Sequence, residues 1–308
     1  GKIGIEGTST IVQKGWEVAG EGGNYRQTKL AFSTPQVFKA FLNSPKAGFV
    51  NAISGDSANV KLQDTVRSDQ PVQTGPATYV ELLLRPGAFL RIDENSSVVL
   101  ESTTASDVVV RVVSGDALLE NVVPEERLQI RVNVGGIKTV VASHGLYRFT
   151  SDTASVIDGV IRFGKDGEAV FNGMQVRITD KTYDTTDLKE DSLRDGLDLW
   201  SAERARTLAR ANFISDFADS QPNFFLFLSN RPLNAAWIYS PSAKGITFIP
   251  QLKRESYYGD SFVPSSALMP STSMVGTINV RVPQQQPNLP AVTPAKETPV
   301  QPPAKTSK

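Results

Sequence analysis

Between Val72 and Val123 the apolar residues alternate: Val80, Leu82 and Leu84, then Leu90 and Ile92, Val98 and Leu100, and Val108, Val110 and Val112. A last run follows at Leu118 to Val123. Period two in runs this short is the pattern of strands with one buried face. Arg85-Pro86-Gly87, Asp93-Glu94-Asn95 and Ser114-Gly115-Asp116 separate the runs and are turn sequences. Pro86 and Gly87 at the two central positions suit a type II turn. The same rhythm starts near Val50, with Ala58, Val60 and Leu62 alternating, and continues through Ile130, Val132, Val141, Tyr147, Phe149, Ile161 and Phe163 to Met174, Val176 and Ile178. The expected fold class is an all-β core, either a short-strand β-sandwich or a compact β-solenoid.

The flanks divide the rest. Residues 1–49 form a Gly-rich arm followed by a short helix, with Ser33 or Thr34 as N-cap and Pro35 in the first turn. Val37, Phe38, Phe41 and Leu42 share one side of that helix. Residues 50–182 form the β domain. Residues 183–218 read as a helical segment, with Leu193, Leu197, Trp200 and Leu208 at helical spacing and Gly196 inside it; Trp200 is expected to fasten the helix to the β body. Residues 219–282 are expected to be an aromatic-rich extended appendage, and Val280–Val282 a final edge strand. Residues 283–308, with seven prolines in 26 positions, form a Pro-rich tail.

Function classes narrow by composition. Thirty-two basic residues balance 32 acidic ones, so no nucleic-acid partner is expected. No run of 18 apolar residues provides a membrane span. Cysteine is absent and His144 is the single histidine, which excludes thiolate sites and multi-histidine metal sites. No serine lies in a Gly-x-Ser-x-Gly elbow. Asp93/Glu94, Glu125/Glu126 and Glu190/Asp191 are adjacent acids in polar turns, and Asp152, Asp158, Asp166 and Asp180 are single turn residues without calcium-loop spacing. The chain is expected to be no enzyme and to need no cofactor or metal. Its low Lys count, its wealth of Ser, Thr, Gly and Pro and its long β ladder lead to the expectation of an exported protein; a first residue other than Met fits either removal of an export signal or an artefact of expression.

The order of the turns also carries a resemblance. Val72-Gln73-Thr74-Gly75-Pro76-Ala77-Thr78-Tyr79-Val80-Glu81-Leu82, Arg85-Pro86-Gly87-Ala88-Phe89-Leu90-Arg91-Ile92 and Asn95-Ser96-Ser97-Val98 resemble the FecR domain. Val112 to Ala117, Thr139 to Ala142 with Gly145 to Phe149, and Phe171 to Val176 resemble its later steps. Asp195 to Trp200 with Arg204, and then Trp237 to Gly259, are similar to segments that follow the domain in a secreted, acidobacterial-type subfamily. The resemblance covers roughly residues 50–260. It implies a bacterial protein of the periplasm or cell surface. Founding members relay a receptor signal through an inner-membrane span to a sigma factor, a role not carried over to this chain.

The expectation is a structural or interaction protein of the bacterial envelope, a subunit of a larger assembly or filament. Its partners would be other envelope or surface proteins, copies of itself among them. Trp16, Phe38, Phe41, Trp237, Tyr239, Tyr257 and Tyr258 are the candidate contacts, because interface energy concentrates in aromatics. Two alternatives stay open. One is a carbohydrate- or peptidoglycan-binding module using aromatic platforms; the other is a periplasmic signal relay.

Overall fold

The structure is a computed structural model. It describes residues 36–44, 46–104, 107–125, 128–179, 182–189, 194–214, 234–240 and 243–264, together with the backbone of four amino-terminal strands. Those strands form two hairpins, β1 (Ile3–Gly4) with β2 (Ile11–Val12) and β3 (Trp16–Glu21) with β4 (Asn24–Lys29). Helix α1 (Gln36–Asn43) follows.

The β body comprises β5 (Phe49–Ser54), β6 (Pro71–Gln73), β7 (Tyr79–Arg85), β8 (Ala88–Ile92), β9 (Ser97–Thr104), β10 (Asp107–Ser114), β11 (Ala117–Asn121) and β12 (Gln129–Val134). It continues through β13 (Ile137–Val141), β14 (Gly145–Phe149), β15 (Thr153–Asp158), β16 (Val160–Phe163), β17 (Glu168–Phe171), β18 (Met174–Thr179) and β19 (Thr182–Asp187). Helix α2 (Gly196–Ile214) and the strands β20 (Ala235–Ser240), β21 (Gly245–Pro250), β22 (Arg254–Glu255) and β23 (Ser261–Phe262) complete the described chain.

Two sheets make the body. The larger runs β19-β18-β15-β14-β11-β8-β7-β5, the smaller β17-β16-β13-β12-β10-β9-β6. From β7 to β19 the chain places one or two strands in one sheet and then crosses to the other, so a solenoid-like winding produces a two-sheet sandwich. Every named pairing in these sheets is antiparallel except β10 with β12. The alternating residues of the sequence meet between the sheets. Leu82, Leu90, Leu119, Tyr147 and Val156 of one sheet share a core with Val98, Leu100, Val110, Val132 and Ile161 of the other.

Turn chemistry fixes the register. At Gly87 φ is +80°, and a Cβ there would lie 2.6 Å from Val123 Cγ2, so only glycine fits both the conformation and the space. Asn95 takes φ +52° in the turn before β9. Thr74 ties the entry of the ladder to that turn: its Oγ1 donates to Asp93 O (2.5 Å) and accepts from Ser96 N (3.0 Å).

Three expectations change. Ala58, Val60 and Leu62 belong to no strand; Gln63 and Asp69 take positive φ and Leu62 is exposed, so the segment turns back on itself with single bridges, Ala58 to Thr74 and Phe49 to Thr65, in place of a continuous strand before β6. The series does not close at Ile178. A further strand, β19, pairs along all of β18, and its residues are polar or exposed, which hides it from an apolar periodicity. Of the expected appendage, the described residues 234–240 and 243–264 are not extended. They fold into the β20–β21 hairpin and the β22–β23 pair, and β21 is buried throughout. Trp16 lies on β3, and its side chain is outside the described residues, as are Leu193, Val280–Val282 and the tail.

Candidate interaction site

The central strands of the larger sheet depart from a one-sided pattern. β7 is buried from Val80 to Arg85, and β8, β11 and β14 are buried along their whole length. The smaller sheet keeps the alternation: β10 and β12 are buried at every second residue through Val112 and Val134. The larger sheet therefore carries a third layer on its outer face, built from α1, α2 and the β20–β21 hairpin.

Aromatic packing holds one end of that layer. Phe38 and Phe41 of α1 meet Phe49 of β5 at 6.0 and 4.5 Å between ring centroids. Trp237 of β20 meets Phe89 of β8 edge-on at 6.0 Å, and Phe248 packs on Phe262 at 4.3 Å. Two amides imitate strand neighbours. Asn51 donates to Ile246 O (3.0 Å) and accepts from Ile246 N (2.9 Å), which joins β5 to β21. Asn212 of α2 donates to Phe248 O (2.9 Å) and accepts from Val263 N (2.9 Å).

Helix α2 begins where its sequence dictates. Asp195 caps it by accepting from Asp198 N (3.0 Å), and Gly196 takes the first helical position. A Cβ on Gly196 would lie 2.4 Å from the Tyr79 hydroxyl, so glycine there lets the helix approach the sheet. Leu197, Ser201, Ala205, Leu208 and Asn212 form the buried stripe, whose small members allow close packing. Trp200 stacks on Tyr79 at 5.5 Å, in keeping with its expected role.

Charge fills the other end of the layer. Glu81 on β7 and Arg91 on β8 stand directly opposite one another, and Arg91 Nε donates to Glu81 Oε2 at 3.1 Å. Arg91 Nη1 reaches Glu120 Oε2 on β11 at 2.8 Å. Arg204 Nη2 of α2 donates to Glu81 Oε1 at 2.8 Å, beside a 3.0 Å bond from Asn51 Nδ2. The backbone N–H of Tyr257 closes the group on Glu120 Oε1 (3.2 Å). Glu81 and Arg91 are completely buried. Burial alone would push the Glu81 carboxyl up, but Arg204 and Arg91, with hydrogen bonds from Arg204 and Asn51, outweigh it and hold the carboxyl at about 2. Arg91 moves the other way: burial disfavours its charge, and Glu120 and Glu81 more than restore it.

A second, wetter cluster sits at the start of α2. Arg148 faces Asp195 (2.5 Å), Asp116 (3.3 Å) and Asp93 (3.6 Å). Desolvation, with Asp195 and Asp116 nearby, lifts Asp93 to about 6 against the bonding of Glu94 N–H and the charge of Arg148. His144 holds Glu255 O through Nε2 at 2.8 Å and lies 3.7 Å from Asp158. A small cleft opens beside Arg85, Pro86, Glu125 and Asn234.

The structure separates six of the seven candidate contacts, the Trp16 side chain lying outside the described residues. Phe38, Phe41 and Trp237 are buried in the aromatic cluster, and Tyr239 stacks on Phe38 at 4.5 Å. Their rings pack inside this chain because the third layer needs an apolar seal. Tyr258 is partly buried and donates to Asp198 Oδ1 (2.9 Å), whereas the neighbouring Tyr257 ring is 43% exposed. Glu81, Arg91 and Glu120 were not singled out by the sequence as site residues, and Arg204 was named only within the resemblance. The signal available was a charge in the middle of each of two apolar runs, at Glu81 and Arg91, where a one-sided strand would place it in water.

No family model matches the chain, and no curated protein does. Among solved structures, two crystal structures of a protein described provisionally as an anti-sigma factor, from Parabacteroides distasonis ATCC 8503, match at 12% identity. Their TM-scores are 0.32 and 0.33, and each match covers 40% of this chain and 62% of the other. The chain thus spans less than two thirds of the structures it matches. Among the described residues no helix is long and apolar enough to cross a membrane.

Proposed function

We propose that this chain is a non-catalytic interaction protein of the bacterial cell envelope, built on a FecR-like β-sandwich and acting as a subunit of a larger assembly. One observation carries the reading. The buried ionisable groups of the larger sheet bind one another beneath the chain's own third layer, while the end of that same sheet, β19, is exposed at all six residues. Groups that neutralise each other inside a sealed layer hold a scaffold in shape; an open strand edge is where a second chain can add hydrogen bonds. The sandwich and the positions of Thr74, Gly87 and Asn95 in its turns support the resemblance to the FecR domain, and with it an exported location.

The test is the size of the native protein after mild extraction from its source cells. The reading expects a species several times the 33.4 kDa of one chain. Recovery of free monomer alone, under every extraction condition, would overturn it.

A further inference from the structure

The β3–β4 hairpin pairs with no other strand among the described residues, and neither does the outer side of β19. A lone two-stranded hairpin is marginal in water, and an exposed edge strand is a template for another strand. Both have six residues per strand. The charges of β4 and β19 are opposite, whereas β3, with Glu17 and Glu21, carries the same sign as β19. β19 reads Thr-Tyr-Asp-Thr-Thr-Asp and β4 reads Asn-Tyr-Arg-Gln-Thr-Lys, so Asp184 and Asp187 are three apart, as are Arg26 and Lys29.

We infer that β4 of one copy adds to β19 of a second copy, antiparallel, in the register that sets Asp184 opposite Lys29 and Asp187 opposite Arg26. One register satisfies both pairs, because 184 and 29 have the same sum as 187 and 26. The inference rests on the assembly reading above and supplies its geometry. Opposite charges on facing strands attract and like charges repel, so the same two aspartates that welcome β4 oppose β19 pairing with itself, where Asp184 would face Asp187. Hairpin and edge are different surfaces, which makes the contact head-to-tail: copies close into a ring or extend as a filament.

The experiment uses the full chain in four forms: wild type, D184K/D187K, R26D/K29D, and all four reversals together. Sedimentation velocity from micromolar to millimolar concentration reads association, and circular dichroism checks the fold. Wild type is expected to self-associate; each two-site reversal should weaken association by about tenfold or more, and the combined reversal should recover it. A wild-type chain that stays monomeric, an association indifferent to the reversals, or a combined variant without recovery would overturn the inference. If the native complex forms equally well with D184K/D187K, the strand pairing is overturned and the assembly reading stands. If native material is free monomer, both fall.

Discussion

Arg204 of α2 donates to Glu81 of β7 at 2.8 Å across 123 positions of sequence, and the carboxylate it meets is completely buried. That bond ties the segment after the sandwich to the middle of the larger sheet. Glu81 also holds Arg91 and Asn51, so one carboxylate links β5, β7, β8 and α2. Removing one partner from such a group strands the others without compensation, which costs far more than the net worth of the group.

Replacing Glu81 tests that asymmetry. E81Q is expected to lose about 3–5 kcal/mol of unfolding free energy at neutral pH, read by urea titration. The folded carboxyl lies at about 2, below its ordinary 4.5. Its contribution is therefore complete above about pH 4.5 and disappears as pH falls towards 2. The difference between wild type and E81Q should shrink over that window and stay constant above it.

Asp93 has the opposite sign. Its folded value of about 6 exceeds the ordinary 3.8, so its contribution is present below about pH 4 and is lost as pH rises through 6. D93N should remove that loss. At pH 7.5 it is expected to be more stable than wild type by about 1 kcal/mol, a figure reduced for partial exposure to water. Arg148 keeps Asp116 and Asp195 in the variant. A D93N chain less stable than wild type at pH 7.5 would contradict the assignment.

Gly87 closes the β7–β8 hairpin with a positive φ, and Val123 occupies the space of any Cβ. G87A is expected to cost about 1–3 kcal/mol, from the left-handed conformation and the displaced valine together. Thermal unfolding of the two chains checks it.

The aromatic residues should divide by position. W237A opens a cavity between Phe41 and Phe89 and should cost about 3–5 kcal/mol. Y257A removes a ring 43% exposed that meets Tyr258 edge-on at 5.2 Å, and should cost no more than about 1.5 kcal/mol. Equal losses would mean that the third layer does not seal as described.

The sandwich was legible because its inner residues alternate and its turns hold Gly, Asp and Asn where the backbone needs them. The two helices of the third layer and the fastening role of Trp200 were legible too; its buried charges and the β20–β21 hairpin were not, for a physical reason. Glu81 and Arg91 look like solvent-facing positions in a period-two pattern; each other, Asn51, Glu120 and Arg204, the last 123 positions from Glu81, make their burial tolerable, and periodicity carries no information on such pairings. The buried stripe of α2 places Ser201 and Asn212, which are polar, and the small Ala205 among Leu197 and Leu208, so Trp200 and the leucines stood out while the rest of the stripe did not. β19 was missed because it is an edge with polar residues, and its Thr-Tyr-Asp-Thr-Thr-Asp sequence has no apolar alternation to find. Aromatic residues read as surface contacts turned inward at Phe38, Phe41 and Trp237, since the same rings that suit an interface suit the seal between two layers of one chain.

The claim that α2 packs on the larger sheet of the sandwich is tested most directly by a double-mutant cycle on Glu81 and Arg204. Unfolding free energies of wild type, E81Q, R204Q and the double variant give the coupling between β7 and α2. A third layer locked by this bond gives a favourable coupling of about 1–3 kcal/mol. Additive losses, with no coupling, would mean that α2 does not sit on Glu81 and would contradict the account.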